Sequence, residues 1–211
     1  MTRKERAVEI ARRLRATYPD SHCELEYGSA FELLVATILS AQCTDKRVNI
    51  VTRELFRTHR TPADFASVSQ ADLEAKIRST GFFRHKAKNI RAMAQAILDL
   101  HGGEVPRDME SLAALPGVGR KTANVVLGNA FNLNVGFVVD THIGRLARRF
   151  RFTRHVDPVK VEQDLMRTFP VENWMILSHD FIWHGRRRCT ARRPDCAGCE
   201  LADICPSAGK V

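Results

Sequence analysis

Chemistry is easiest to write for an amine that follows a glycine-rich turn, and the chain has one in Leu115-Pro116-Gly117-Val118-Gly119-Arg120-Lys121-Thr122-Ala123. Pro116 stops a preceding helix, while Gly117 and Gly119 admit backbone angles and close approaches that side chains would hinder. Apolar residues resume at Ala123, Val125, Val126 and Leu127. A helix is therefore expected to open near Gly119 with several unpaired backbone N–H groups at its start. Those groups and the positive end of the helix dipole make an anion site, suited above all to phosphate. Lys121 falls in the first turn, where a cation does nothing for helix stability. On these residues alone it reads as a phosphate-binding lysine.

A second constellation lies near the C-terminus. Cys189, Cys196, Cys199 and Cys205 follow the spacing Cys-x6-Cys-x2-Cys-x5-Cys, and four thiolates so close in sequence suit one compact soft-metal site. Zinc competes with iron–sulfur here. Zinc ribbons usually bring two Cys-x2-Cys hairpins and this chain has one, which favours a cluster, although spacing alone leaves the choice open. Arg186, Arg187, Arg188, Arg192 and Arg193 flank this loop against a single Asp195, a basic patch fit to hold phosphates. Cys23 and Cys43 lie outside the loop and read as ordinary core thiols.

The elements that must position these groups are helical throughout. Apolar residues recur at helical spacing and no alternating run compels a strand, so the fold class is all-α. Ala7, Ile10, Ala11, Leu14 and Tyr18 mark an amphipathic N-terminal helix rather than a signal peptide. Phe31, Leu34, Val35, Ile38 and Leu39 mark a strongly buried one, and another follows Thr44. Thr61-Pro62 and Ser69 with Asp72 are further helix starts. A longer helix runs from about Arg84 to His101 and ends at Gly102-Gly103. Asp108 caps the short helix before the glycine-rich turn. Periodicity lapses over 132–136, the best candidate for a crossing between domains. Helices then start at Asp140-Thr141 and Asp157-Pro158, a third carries Trp174, Leu177, Phe181 and Ile182, and little helical pattern remains from His184 onward.

The 211 residues hold 33 Lys and Arg against 24 Asp and Glu, with a pI near 9.6, which points to a polyanionic partner, nucleic acid or an anionic membrane surface. No apolar run is long enough to span a bilayer, so no membrane partner is expected. Without an export signal the compartment is expected to be reducing, which counts against disulfides.

Three motifs coincide: the Leu115–Ala123 stretch, Val139-Asp140-Thr141-His142-Ile143-Gly144-Arg145, and the four-cysteine loop. With Leu39-Ser40-Ala41-Gln42, Thr44-Asp45 and His184-Gly185-Arg186, they resemble the endonuclease III family of base-excision repair glycosylases in the helix-hairpin-helix superfamily, over nearly the whole chain. The resemblance implies two helical domains flanking a DNA-binding groove. Residues 22–134 would form a six-helix barrel with the helix-hairpin-helix, and 1–21 with 135–211 a helical domain carrying one 4Fe-4S cluster on Cys189, Cys196, Cys199 and Cys205. It implies a bifunctional DNA glycosylase and AP lyase that flips oxidised pyrimidines out of damaged double-stranded DNA. Lys121 would be the Schiff-base nucleophile, and Asp140 would deprotonate it or stabilise positive charge on the sugar. Burial and the helix start would disfavour the charged amine, as catalysis requires. Gln42 would enter the gap left by the flipped nucleotide and Phe82 would wedge into the stack, with a bonded interior Gln42 and a buried Phe82 as the bland readings. Gly117, Val118, Gly119, Arg120, His142, Arg145, Arg192 and Arg193 would contact DNA, and Asp45 would line the lesion pocket. A monomer in the bacterial cytoplasm, associated with the nucleoid, is expected. An adenine-mismatch or pyrimidine-dimer glycosylase of the same superfamily, or a noncatalytic DNA-binding iron–sulfur protein, is the alternative. Lys121 opposes the adenine-mismatch branch, which lacks a lysine there.

Overall fold

The computed structural model describes all residues 1–211. Its regular structure is helical without strands: α1 (Arg3–Thr17), α2 (Ala30–Leu39), α3 (Asp45–Leu55), α4 (Pro62–Ser67), α5 (Gln70–Ile77), α6 (Phe83–His101), α7 (Met109–Ala114), α8 (Arg120–Phe131), α9 (Thr141–Arg149), α10 (Pro158–Thr168) and α11 (Trp174–Arg187), with 3₁₀ turns at Arg78–Thr80 and Val171–Asn173. The all-α expectation is met. Most starts are written in side chains: Thr2, Ser29, Thr44, Thr61, Ser69, Asp108, Asp140 and Asp157 each accept a first-turn N–H, removing one orphan donor per helix.

The chain divides into two compact units, Cys23–Leu133 and Met1–His22 with Asn134–Val211. The first is built around α2. Nine of its ten residues are buried, as a helix apolar on all sides requires, and it packs against α3, α6 and α8. This unit holds seven α-helices, one more than a six-helix barrel, because Val68 breaks the backbone between α4 and α5 and Ser69 caps a new start. The loops on either side of α6 carry left-handed backbone, at Gly81 and Phe82 before it and at Gly102 and Gly103 after it.

In the second unit α11 packs against α9 and α1. Its core holds a connected aromatic cluster of Phe137, Phe150, Phe152, Phe169 and Phe181, with the Phe152 and Phe169 rings edge-to-face at 5.3 Å. A buried carboxylate ties the segment after α1 to α11. Asp180, fully buried, accepts from Ser21 Oγ at 2.6 Å and meets Arg15 Nη1 at 3.2 Å. No helix is long and apolar enough to cross a membrane.

Candidate nucleic-acid interface and metal centre

In the Cys23–Leu133 unit the glycine-rich turn closes through Val118 N–H donating to Leu115 O at 3.1 Å. Gly117 sits at φ +76°, and a Cβ there would lie 2.7 Å from Asn89 Cβ, so only glycine fits. Gly119, at φ −96°, faces open space. It starts α8 with no side-chain cap, and the positive end of the helix dipole favours an anion there. Val118, also expected to contact DNA, has its side chain in the core at 5% exposed and its N–H bonded to Leu115 O. Arg120 and Lys121 are exposed. The burial expected around Lys121 is therefore not met.

Gln42 and Phe82 are both non-glycine residues in left-handed conformation, at φ +53° and +46°, a strain of the kind that gathers at functional sites. Gln42 is exposed and Phe82 is 63% exposed, so neither bland reading describes them. Asp45, the first residue of α3, lines an open basin of about 790 Å³ with Glu24, Glu26, Lys46 and Arg53.

In the other unit Asp140 Oδ1 accepts the Ile143 N–H at 2.8 Å, which makes it the cap of α9. Burial holds His142 below the ordinary imidazole range, with Arg145 and Arg186 adding to the shift and Asp140 opposing it; the ring is thus mainly neutral at pH 7. Arg145, expected to contact DNA, is engaged within its own unit. Its Nη2 donates to Gly185 O at 2.9 Å and Cys189 O at 3.0 Å, so its guanidinium braces the start of the cysteine loop. Arg149, one helical turn on, was not singled out from the sequence. It donates to Cys189 Sγ at 3.1 Å, Thr190 O at 2.8 Å and Ala191 O at 3.1 Å. Its spacing of four from Arg145, which puts both on one face, was the available signal.

The loop's arginines split into two sets. Arg188 is half-buried and pairs with Asp195 at 2.6 Å and Glu200 at 2.8 Å, so its charge is engaged within the loop. Arg186, Arg187, Arg192 and Arg193 are exposed, with Arg187 stacked 3.7 Å over the Trp183 ring. Helix α11 also continues past His184 to Arg187, because Gly185 lets it lie against His142 and Arg145 where a Cβ would approach them to 3.0–3.1 Å.

All four loop cysteines border one cavity of about 340 Å³, together with Phe150, His184 and Arg149. Four thiols around one cavity are a donor set that fits an iron–sulfur cluster. Burial pushes the Cys199 thiol up to about 11 and Cys205 in the same direction. Unmetallated they stay protonated at neutral pH, and metal binding would have to release those protons. Leu201 N–H donates to Cys199 Sγ at 3.4 Å, and His184 Nε2 stands 3.7 Å from it.

With this geometry in place, relatives are informative. Residues 35–171 match the HhH-GPD superfamily of base excision DNA repair proteins, and residues 189–205 match the iron–sulfur binding domain of endonuclease III. Endonuclease III of Synechocystis sp. is 49% identical over 98% of this chain and 94% of its own. That of Escherichia coli K12 is 41% identical over 99% and 98%. A solved structure of a trapped covalent intermediate of endonuclease III with DNA superposes with a TM-score of 0.93 at 44% identity, covering 99% of this chain and 98% of that one. The chain belongs to the HhH-GPD superfamily and, within it, to the endonuclease III family: a DNA repair glycosylase and AP lyase whose cofactor is one 4Fe-4S cluster.

Proposed function

We propose that Lys121 is the nucleophile of this enzyme and that its substrates are oxidised pyrimidines in duplex DNA. The observation that carries the reading is an exposed lysine in the first turn of an uncapped helix, directly after a turn where Gly117 is sterically obligatory and Gly119 is open. Phosphate oxygens at the start of α8, which has no side-chain cap, would hold the backbone beside the amine. The target nucleotide leaves the stack, since its C1′ is out of reach inside the duplex. The neutral Lys121 amine attacks C1′, the bond from C1′ to the base breaks, and the base leaves with the electron pair and takes a proton. The sugar ring opens to a Schiff base on Lys121. Loss of a C2′ proton then expels the 3′ phosphate by β-elimination, and water releases the amine. The covalent nature of the trapped endonuclease III–DNA complex supports a nucleophile of this kind here.

Asp140 is read as the acidic partner, removing the amine proton or balancing positive charge on the sugar, while Oδ1 caps α9. Gln42 and Phe82 fill and wedge the gap left by the flipped nucleotide. Asp45 borders the base. Arg120, Arg192 and Arg193 meet phosphates. Cys189, Cys196, Cys199 and Cys205 would hold the cluster, which supplies iron–thiolate cross-links to the loop. Arg145 and Arg149 brace that loop, and we assign them to positioning rather than to DNA. We further infer a monomer acting in the bacterial cytoplasm at the nucleoid.

Borohydride trapping on a duplex with one oxidised pyrimidine tests the central assignment. Lys121→Ala is expected to abolish trapping and lower strand cleavage by at least ~10³-fold, while undamaged duplex binding survives. Persistent trapping would mean that another amine is the nucleophile. Metal analysis should find roughly four irons per chain with visible absorption; one zinc and a colourless protein would reject the cluster ligands.

A further inference from the structure

The two residues read as DNA probes, Gln42 and Phe82, stand on separate loops 40 residues apart in sequence, and a buried charge lies behind both. Lys86, in the first turn of α6, is 5% exposed. Its Nζ donates to Leu39 O at 2.7 Å and to Thr80 O at 2.8 Å. Leu39 ends α2 three residues before Gln42, and Thr80 ends the 3₁₀ turn two residues before Phe82. The carbonyls around the end of α2 find partners in turn. Ala36 O takes Ser40 N–H, Thr37 O takes Ser40 Oγ, Ile38 O takes Ala41 N–H and Ser40 O takes Cys43 N–H. Leu39 O takes the ammonium. Lys86 also donates its own N–H to Phe82 O at 3.1 Å, so it grips the Phe82 loop from backbone and side chain together.

We propose that Lys86 is a positioning residue that locks the Gln42 and Phe82 loops to one another, so that the two probes enter DNA as a single rigid pair. The inference rests on the assignment of Gln42 and Phe82 as probes made above. Burying an ammonium is costly unless its donors are bonded, and here they are bonded to carbonyls at the ends of two elements, each leading into a left-handed residue that resists its own conformation. Burial also pushes the Lys86 ammonium down from its ordinary range, as expected for a group drawn out of water to serve a geometric purpose. Leu or Met at this position would pack as well in the interior, but it would release both loop ends.

The test measures the ratio of affinities of the full cluster-loaded chain for a duplex with one tetrahydrofuran abasic analogue and for the same duplex undamaged. Fluorescence of 2-aminopurine opposite the analogue reports unstacking. Lys86→Met is expected to lower the ratio by about 10-fold and to blunt the fluorescence rise, with undamaged binding held within about 2-fold. Because the three residues act as a unit, adding Gln42→Ala or Phe82→Ala to it should lower the ratio little further. An unchanged ratio in Lys86→Met, or losses that add in full, would overturn the inference. If Gln42→Ala and Phe82→Ala each leave the ratio unchanged, the probe assignment fails and takes the lock with it. Should Lys86→Met not fold, Lys86→Gln carries the test: its shorter amide reaches one carbonyl, so a loss of about 3-fold is expected, and full retention refutes the lock.

Discussion

The two units hold their functional groups by different means. In Cys23–Leu133 every group assigned to DNA sits at a helix start or in a loop between closely packed helices, and the backbone itself is bent to present it, through left-handed Gln42 and Phe82 and the glycine-only turn at Gly117. In the other unit, the segment after Arg187 has no regular secondary structure. It is held by Arg145 and Arg149 on backbone carbonyls, by Arg188 on Asp195 and Glu200, and by whatever joins the four cysteines. One unit gets its precision from packing and the other from polar bonds and metal. Damage to the first should alter recognition, and damage to the second should dissolve a segment.

The sharpest way to break this contrast is to remove a thiolate. Cys199→Ser is expected to lose the visible absorption and to destabilise its unit by more than ~3 kcal/mol, with hydrogen exchange rising across residues 189–205 and staying low within Cys23–Leu133. Equal loss in both would erase the distinction. Next comes Asp140, where cap and charge can be separated. Asp140→Asn keeps a good helix cap and should cut cleavage by ~10²-fold or more with stability almost unchanged, whereas Asp140→Ala should add about 1 kcal/mol of destabilisation. If Asn kept full activity, Asp140 would be a cap only.

The glycines of the hairpin offer a smaller contrast. Gly117→Ala meets both a left-handed backbone and Asn89, and should lower unfolding free energy by about 1–3 kcal/mol in denaturant melts. Gly119→Ala, with ordinary φ and open space, should change stability by less than ~1 kcal/mol yet weaken duplex binding. Smallest is a pH effect at Asp164. Burial raises its pKa, but bonds from Thr153 and Arg167 outweigh that and leave it below its ordinary value near 3.8. Since the folded value is the lower one, the stability it contributes is present above pH 3.8 and is lost as pH falls further. The melting difference between wild type and Asp164→Asn should therefore shrink on acidification through that window, and a constant difference would count against the ionic bonds.

Much of this was legible before any coordinates. Six of the eight side-chain caps, at Thr44, Thr61, Ser69, Asp108, Asp140 and Asp157, announce their helices because Ser, Thr and Asp satisfy donors locally, without reference to the rest of the chain. Gly117 and the four cysteines were readable for the same reason. What escaped depends on partners distant in sequence. Arg149 looks like any helix-end arginine until Cys189 lies beside it, 40 positions on, and Lys86 like a solvated lysine until Leu39 O is placed 47 positions back. Val118 and Arg145 show the same limit from the other side. Each belongs to a motif with an expected DNA role, and the motif does not reveal that the Val118 side chain is buried or that Arg145 bonds Gly185 O and Cys189 O.

Helix α1 belongs with residues that come more than a hundred positions later, and that separation has a consequence for the growing chain. At roughly 5–20 residues per second, the apolar stripe of Ala7, Ile10 and Leu14 leaves the ribosome long before Phe150, Phe181 and the rest of its core exist. The Cys23–Leu133 unit can complete itself in the interval. α1 cannot, and its stripe stays uncovered until α11 is made. The cysteines come later still, so the loop that they anchor is the last part of the chain that can be put in place.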